Sequence, residues 1–334
     1  MHRVLVASLV LLAVACAVWA FRDPTVLALT LERLSPGLAC ALIALLATNE
    51  LVKGARWAWY LRAARLPIRP LDGVTSYLAA QAASALPGGT ILAARLAEEH
   101  GGGLVRLRHT TPALLVQGIG DLLAVSALAS IGLALTDSSR VQFAVPVIGS
   151  LLGGLAIAAI RSEQVGIALV RLLGRKPLTR RILPAEEDAR RTLLILCRLS
   201  ALGPGVIASV LSSLIAVTLL VLLTDAMTLH GLTPAEGLYV HGMAMLAHLL
   251  LPVPSGVGTS ELSLVGLLNV VGIGFGRATA IAVTYRALGL AFRTIVGSLV
   301  LFVRYHHLLV ELRRHAPDPA RSASTMDLVV EGRD

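Results

Sequence analysis

The sequence has few charged and few aromatic side chains. Of its 334 residues, 15% are charged and 4% are aromatic, whereas 56% are hydrophobic. A soluble domain carries about 25% charged residues, so this composition excludes an ordinary soluble globular protein. The net charge of +9 suggests nucleic acid at first. The basic residues are not interleaved with aromatic ones, however, so no nucleic-acid partner is expected.

Paired cysteines and catalytic motifs are missing as well. The three cysteines, Cys16, Cys40 and Cys197, lie in or beside apolar segments without paired spacing, and they are interpreted as small core residues. The chain has no G-x-S-x-G, Walker A or H-E-x-x-H motif and no acidic pair at metal-ligand spacing. We therefore expect a protein that is not an enzyme and that needs no cofactor or metal.

Long apolar runs are abundant and recur along the whole chain. They cover Val4 to Phe21, Leu38 to Val52, Thr111 to Leu135, Val141 to Ile160, Val206 to Leu223 and Ala278 to Val303. Runs of about this length cross the roughly 30 Å hydrocarbon core of a bilayer. The sequence predicts an all-α, polytopic integral membrane helical bundle over residues 1–310, followed by a polar, disordered cytoplasmic tail at 311–334.

Basic residues fix the expected topology. They cluster at 53–69, 95–108, 171–191 and 304–321, whereas the connections near 23–32, 137–140 and 225–236 contain few of them. Basic loops stay cytoplasmic. This places all four clusters, and both termini, on the cytoplasmic side of a bacterial-type inner membrane. The segment 161–191 is then a cytoplasmic loop between two halves at about 1–160 and 192–310.

One apolar segment between two cytoplasmic clusters is broken in its middle. Residues 74–94 contain the helix-breaking run Pro87, Gly88 and Gly89. A single crossing here would put one basic cluster on the wrong side. The pattern therefore predicts a re-entrant helical hairpin that enters from the cytoplasm and returns to it. Such backbone is tolerated at membrane depth where it is buried in protein or lines a wet cavity.

The second half contains a matching break. The stretch LLLPVPSGVGTSELSLVGLL at 249–268 is interrupted at Pro252 and Pro254, between two connections that face outward. It predicts a second re-entrant hairpin of the opposite orientation. Two broken segments in corresponding positions are typical of an inverted repeat with its binding site at the repeat interface.

Charged residues near the second break are the first binding candidates, because charge inside a membrane is costly and often functional. Glu261 follows the break, and Arg286 and Arg293 lie seven residues apart on one face of the last apolar run. Two readings stay open. Glu261 pairs with one of the arginines as a structural anchor, or the arginines bind an anionic lipid head group. In the second reading, the backbone N–H groups around Ser255, Gly256 and Gly258 assist.

Further polar residues have weaker signals. Arg95 follows the first break and either approaches the cavity or lies at the membrane interface. Asp121 and Gln117, one turn apart, form a candidate coupling site for a cation or proton, although Asp121 is equally explained by a neighbouring hydroxyl or arginine. His241 and His248 are assigned to packing, since no ligand set surrounds them.

The second break carries a family resemblance. LPVPSGVGTSELSLVGLL, followed by TYRALGLAFRTIVGSLVLFV, resembles the flippase-like transmembrane domain of lysylphosphatidylglycerol synthases and of their stand-alone relatives. That family has a P-x-P/S-x-G-x-G-x-x-E stretch and then a helix with an arginine and a late glycine, here Arg286 and Gly297. Thr259 and Ser260 stand where a Val-Arg pair is common in the family.

The first half matches less completely. Pro87 and Arg95 fit the ends of the motif P-x-R-x-G-E-x-x-R, whereas Gly89, Ile91 and Leu92 replace its internal Arg, Gly and Glu. The resemblance covers roughly residues 40–310. It implies two inverted re-entrant elements and movement of a lipid between leaflets. The aminoacyl-transferring domain of some relatives is not seen, so lipid aminoacylation by this chain alone is not expected.

These readings lead to one expected function and two alternatives. The expected function is a flippase or translocase for a charged lipid, either anionic or linked to polyprenyl phosphate. The alternatives are a secondary transporter of a small anionic solute and a non-transporting membrane subunit of a lipid-modifying system. A homo-oligomer and a lipid-synthesis enzyme partner both stay open. The spacing Gly149-x-x-x-Gly153 permits close helix packing within one chain or between chains.

Overall fold

The described part of the chain is helical throughout. The computed structural model describes residues 35–83, 89–100, 107–136, 140–162, 186–228, 231–250 and 259–314, and these ranges contain no β-strand. Short 3₁₀ turns occur at Gln81–Ala83 and Arg140–Phe143. The α-helices in these ranges are α1 (Pro36–Ala63), α2 (Pro70–Ala80), α3 (Gly89–His100), α4 (Leu107–Leu135), α5 (Ala144–Arg161), α6 (Glu186–Leu196), α7 (Leu199–Met227), α8 (Pro234–Leu250), α9 (Thr259–Val270) and α10 (Phe275–Arg314).

Five of these helices are long and apolar enough to cross a membrane, which confirms a polytopic helical membrane protein. They are Pro36–Ala63, His109–Leu135, Ala144–Arg161, Leu199–Met227 and Phe275–His306. At about 1.5 Å per residue, even the 18 residues of α5 extend about 27 Å. The first apolar run, Val4 to Phe21, and the tail beyond Arg314 lie outside the described residues.

The helices begin where the sequence supplies capping groups. Ser35 caps α1 by accepting a hydrogen bond from the N–H of Leu38 at 3.2 Å, with Pro36 in the first helical position. Thr233 and Glu236 form a capping box before α8, because each side chain accepts from the other residue's backbone N–H. These capping groups therefore determine the residues at which α1 and α8 begin.

Two pairs of shorter helices flank the predicted breaks. Helices α2 and α3 pack against each other on either side of residues 84–88, and α8 and α9 do so on either side of residues 251–258. In the first pair, the start of α2 and the end of α3 lie together, since Asp72 Oδ1 is 3.7 Å from His100 Nε2. In the second, Tyr239 of α8 and Leu268 of α9 share one apolar cluster. The two helices of each pair therefore lie side by side.

The long helix that follows each pair packs on the first helix of the other pair. Helix α4 runs along α8, where a Cβ at Gly132 would overlap the backbone of Tyr239. Helix α10 packs on α2 and on the 3₁₀ turn that follows it, where a Cβ at Gly297 would overlap the backbone of Gln81 and Ala82. Only glycine permits backbones to approach this closely. Helices α1 and α7 pack against each other between these contacts.

Helices α5 and α10 answer two questions that the sequence leaves open: the role of the Gly149-x-x-x-Gly153 spacing, and whether the last apolar run forms one helix or two. Gly149 and Gly153 of α5 face Ser126 and Leu123 of α4, so this small-residue spacing serves packing within the chain. The last apolar run is one continuous helix whose backbone leaves helical geometry only at Tyr305. Between Arg293 and Arg304 its exposed large side chains are apolar, namely Ile295, Leu299, Phe302 and Val303.

Candidate functional site

The two arginines of α10 lie on the face of that helix that packs on the two helix pairs. Arg286 Nε lies 3.2 Å from Glu261 Oε1, in the first turn of α9 directly after the second break. Both side chains are half-buried. The anchor pairing expected from the sequence is therefore present, and Arg286 rather than Arg293 forms it. His248, at the end of α8, is close enough for both charges to act on it.

Arg293 lies two turns further along α10, toward the first break. Its Nε donates to the carbonyl oxygen of Gly289 at 3.0 Å, and its side chain is half-buried. The hydroxyls of Tyr77 on α2 and Tyr285 on α10 both lie within range of its charge. One turn later, Gly297 contacts the end of α2. One face of α10 thus extends from the second break to the first.

Asp121 is held by a buried arginine. Arg56 Nη1 donates to Asp121 Oδ1 and to Ser209 Oγ, and Nη2 donates to Asp121 Oδ2 at 3.2 Å. The Arg56 side chain is 3% exposed and that of Asp121 is 31% exposed. The arrangement joins α1, α4 and α7 through one two-pronged ion pair. Asp121 is therefore satisfied by a neighbouring arginine, which is one of the explanations expected from the sequence.

This position of Arg56 corrects the topological interpretation of the first basic cluster. Lys53 and Arg56 were assigned to the cytoplasmic side, but α1 continues to Ala63, so they lie about 15 Å and 10 Å inside its end. The sequence misplaces these two residues because the apolar run ends at Val52, which suggests that the helix also ends there. The cluster at the end of α1 consists of the remaining basic residues, from Arg62 onward.

A second polar group on α1 was not found from the sequence. Glu50 is 3% exposed, lies 3.5 Å from Lys53 Nζ, and accepts a hydrogen bond from the hydroxyl of Tyr77 at 3.3 Å. The neighbouring Asn49 accepts from Ser212 of α7 at 2.6 Å. The available signal was the three-residue spacing of Glu50, Lys53 and Arg56, which places them near one helix face.

Three buried polar atoms near Arg56 have no hydrogen-bond partner among the described residues. They are Arg56 Nε, the Tyr60 hydroxyl and Gln117 Oε1. Gln117 lies one turn before Asp121 on α4, as expected, so the candidate coupling residues share a face. Buried polar atoms of this kind are usually satisfied by water or ligand. These three atoms therefore leave hydrogen-bonding capacity unused in the part of the interior that the structure describes.

The other sequence candidates lie in several places. Arg95 is exposed on α3 and pairs with Glu98 at 3.2 Å, so the structure does not bring it to the arginines of α10. Gly89 is the first residue of α3. His241 is buried in α8. The remaining candidates, Pro87, Gly88, Pro252, Pro254, Ser255, Gly256 and Gly258, lie outside the described residues.

The assembled residues suit the binding of an anion. In the described ranges no cluster of three or more His, Cys, Asp or Glu side chains forms a metal site. The polar interior instead contains three ion pairs, formed by Lys53, Arg56 and Arg286 with their carboxylates, and the additional cation Arg293. Arginine presents several N–H donors in a planar fork, which fits carboxylate and phosphate oxygens.

Comparison with known proteins agrees with this membrane architecture. No curated protein and no solved structure matches the chain. The sequence model of one family, described as the lysylphosphatidylglycerol synthase TM region, matches residues 4–297. The match covers most of the chain, including both helix pairs and the arginines of α10. The protein is therefore a member of the lysylphosphatidylglycerol synthase transmembrane-region family.

Proposed function

We propose that the protein is a lipid flippase that moves an anionic lipid, a phospholipid or a polyprenyl-phosphate-linked lipid, between membrane leaflets. The observation that carries the proposal is the position of Arg286 and Arg293. These cations lie about 10 Å apart on one face of α10, between the two breaks. A head group bound there would be near the ends of both helix pairs.

The packing supports the further proposal that the two helix pairs are re-entrant and form an inverted repeat. The first pair starts and ends close together, at Asp72 and His100. Helices α2, α3 and α9 have only 11 or 12 residues, which is about 18 Å at most. The reciprocal packing of α4 on α8 and of α10 on α2 is what two related halves would produce. Binding at such a repeat interface suits alternating access.

A lipid is favoured over a small solute by the exposure of α10. The face opposite the arginines carries Ile295, Leu299, Phe302 and Val303, which are 62–68% exposed. The same helix therefore contacts lipid on one side and the polar interior on the other. A head group could enter beside α10 while its tails remain in the bilayer, whereas a solute transporter would require a cavity closed to lipid.

The distribution of basic residues supports a proposal for the orientation of the protein in the membrane. At one end of the bundle Arg304 pairs with Asp72, and Arg62 closes the last turn of α1. Arginine-rich ends are cytoplasmic under the positive-inside rule. We infer a bacterial-type inner membrane location with cytoplasmic termini. The proposed partner is the lipid itself rather than a nucleic acid, and the proposed role is transport rather than an enzymatic reaction.

Reconstitution into liposomes tests this function. The purified protein is incorporated with phosphatidylglycerol, or a polyprenyl phosphate, that carries a fluorescent head group, and a membrane-impermeant quencher reports arrival at the outer leaflet. Wild type should expose inner-leaflet lipid. Arg286→Ala and Glu261→Gln should slow that exposure by at least about tenfold, which corresponds to about 1.4 kcal/mol. Arg95→Ala is the matched control because Arg95 forms a solvent-exposed pair.

The outcome separates the rival functions. Lipid movement that depends on Arg286 but not on Arg95 supports the flippase. Uptake of a small anionic solute without lipid movement would replace this function with that of a secondary transporter. A folded protein that moves neither, and that purifies in a fixed ratio with a lipid-modifying enzyme, would indicate a non-transporting subunit.

A further inference from the structure

The interior charges of the bundle do not cancel. More than one turn from the ends of the five candidate spans, and in α9, the described helices carry four cations and three carboxylates. These are Lys53, Arg56, Arg286 and Arg293, and Glu50, Asp121 and Glu261. The broken segments 84–88 and 251–258 consist of SALPG and LPVPSGVG, so they contribute no ionisable side chain. Among these described residues there is therefore one positive charge in excess.

The excess charge can be assigned to one residue. Lys53 lies 3.5 Å from Glu50, and Arg286 lies 3.2 Å from Glu261. Arg56 is bonded to both carboxylate oxygens of Asp121. Arg293 differs, because its only hydrogen bond among the described residues goes from Nε to a backbone carbonyl of its own helix. Its two terminal nitrogens are free to bind a ligand.

We propose that the head group carried by this protein has one net negative charge, in the form of a phosphate diester, and that Arg293 is the residue that binds it. This inference deepens the flippase proposal and rests on it. A guanidinium binds two phosphate oxygens at once. The charge of Arg293 acts on the hydroxyls of Tyr77 and Tyr285. The Tyr285 hydroxyl donates to the carbonyl oxygen of Ala216 at 3.5 Å. The Tyr77 hydroxyl donates at 3.3 Å to Glu50, a carboxylate that already pairs with Lys53.

Charge balance explains why a single negative charge is preferred. An uncompensated charge in surroundings of low polarity is costly, so occupancy is most favourable when the loaded interior is neutral. A monoanion neutralises Arg293. A phosphate monoester with two negative charges would leave one negative charge over. The phosphate of a zwitterionic head group could pair with Arg293, but the head group's own cation would keep the loaded interior positive. The three existing pairs make the other cations poor acceptors, since a ligand would first have to displace a carboxylate.

The test compares three lipids with identical tails in the reconstituted full-length protein. Phosphatidylglycerol has one negative charge, phosphatidic acid approaches two, and phosphatidylcholine has none. Wild type should move phosphatidylglycerol at least about tenfold faster than either of the others. Arg293→Gln should abolish that preference and Arg293→Lys should retain most of it. Arg304→Gln, which changes a cation outside the polar interior, should leave the preference unchanged.

A binding measurement keeps the inference testable apart from transport. Native mass spectrometry of the detergent-solubilised protein should show phosphatidylglycerol bound in preference to phosphatidylcholine, and Arg293→Gln should lose this preference. Glycerophosphoglycerol, the same head group without tails, should not compete for the site if the ligand is a lipid. Effective competition would identify a soluble phosphate diester as the ligand instead.

The possible failures differ. Equal rates for all three lipids, unchanged in Arg293→Gln, would refute the charge assignment while leaving the flippase function intact. Faster movement of phosphatidic acid would refute the single-charge match. Absence of any lipid movement would refute the proposed flippase. In that case preferential binding lost in Arg293→Gln would still support the site, and binding without charge preference would refute it.

Discussion

The ion pair between Arg56 and Asp121 should stabilise the fold strongly, and Asp121→Asn tests this. The substitution keeps the shape of the side chain and removes its charge. It leaves the guanidinium of Arg56, whose side chain is 3% exposed, without a carboxylate. Removing one partner of a buried pair costs about 3–5 kcal/mol. Because Asp121 is 31% exposed and partly hydrated, we expect the lower end, about 3 kcal/mol.

A double substitution separates the net contribution of the ion pair to stability from the cost of leaving one buried charge without its partner. Replacing Arg56 with Met and Asp121 with Leu removes both charges and fills similar volume. Ser209 remains satisfied, since its hydroxyl donates to the carbonyl oxygen of Gly205 at 3.1 Å. Apolar replacements of buried pairs are often neutral or better. We expect the double variant to lie within about 1 kcal/mol of wild type.

Unfolding in mixed micelles by added sodium dodecyl sulfate provides the measurement. Tryptophan fluorescence reports it well, because Trp57 is fully buried directly beside Arg56. Arg95→Ala, which breaks an exposed pair, should cost less than about 1 kcal/mol. If Asp121→Asn costs no more than this control, or if the double variant is as unstable as the sum of its single variants, the reasoning about a buried pair is wrong.

Two further predictions concern the contacts of α10 and can be checked in the same assay. Gly297→Ala should destabilise the protein by about 1–3 kcal/mol, because its Cβ would overlap the backbone of the 3₁₀ turn after α2. Gly154→Ala, which faces open space, should be neutral or slightly stabilising, and equal effects would contradict this packing. Arg304→Ala breaks a pair with Asp72 in which the arginine side chain is 45% exposed. It should cost less than about 1 kcal/mol, and a larger loss that added salt does not reduce would show that the pair is buried in the membrane-bound protein.

The features that sequence predicts well here depend on long runs or on short-range spacing. Apolar run length predicts the crossing helices, and the two proline- and glycine-rich segments lie where the short helices are interrupted. The pairing of Glu261 with Arg286 was one of two expected arrangements. Each of these follows from residues close together in the chain, or from a helix's own periodicity.

The interior position of the polar residues of α1 could not be predicted from the sequence in this way. A charge at the end of an apolar run is the same pattern whether it snorkels to the surface or points inward. The difference is decided by partners 65 and 153 residues away, Asp121 and Ser209, which bond to Arg56. No local signal identifies these partners. Long-range packing therefore places Lys53 and Arg56 in the interior, although the sequence pattern resembles that of a cytoplasmic basic cluster.

Three of the four interior cations pair with a carboxylate, whereas Arg293 does not. This difference suits a site that must release the anion that it binds. A permanent carboxylate beside Arg293 would compete with every anionic head group, whereas an equally buried cation without surrounding dipoles would hold an anion too tightly to let it leave. Arg293 lies between these extremes, because it is half-buried, bonded to a carbonyl oxygen and close to two tyrosine hydroxyls. An incoming phosphate diester therefore exchanges with polar neighbours and water rather than with a fixed negative charge. The remaining three cations, each neutralised by its own carboxylate, keep the surrounding interior polar without adding a second strong anion site.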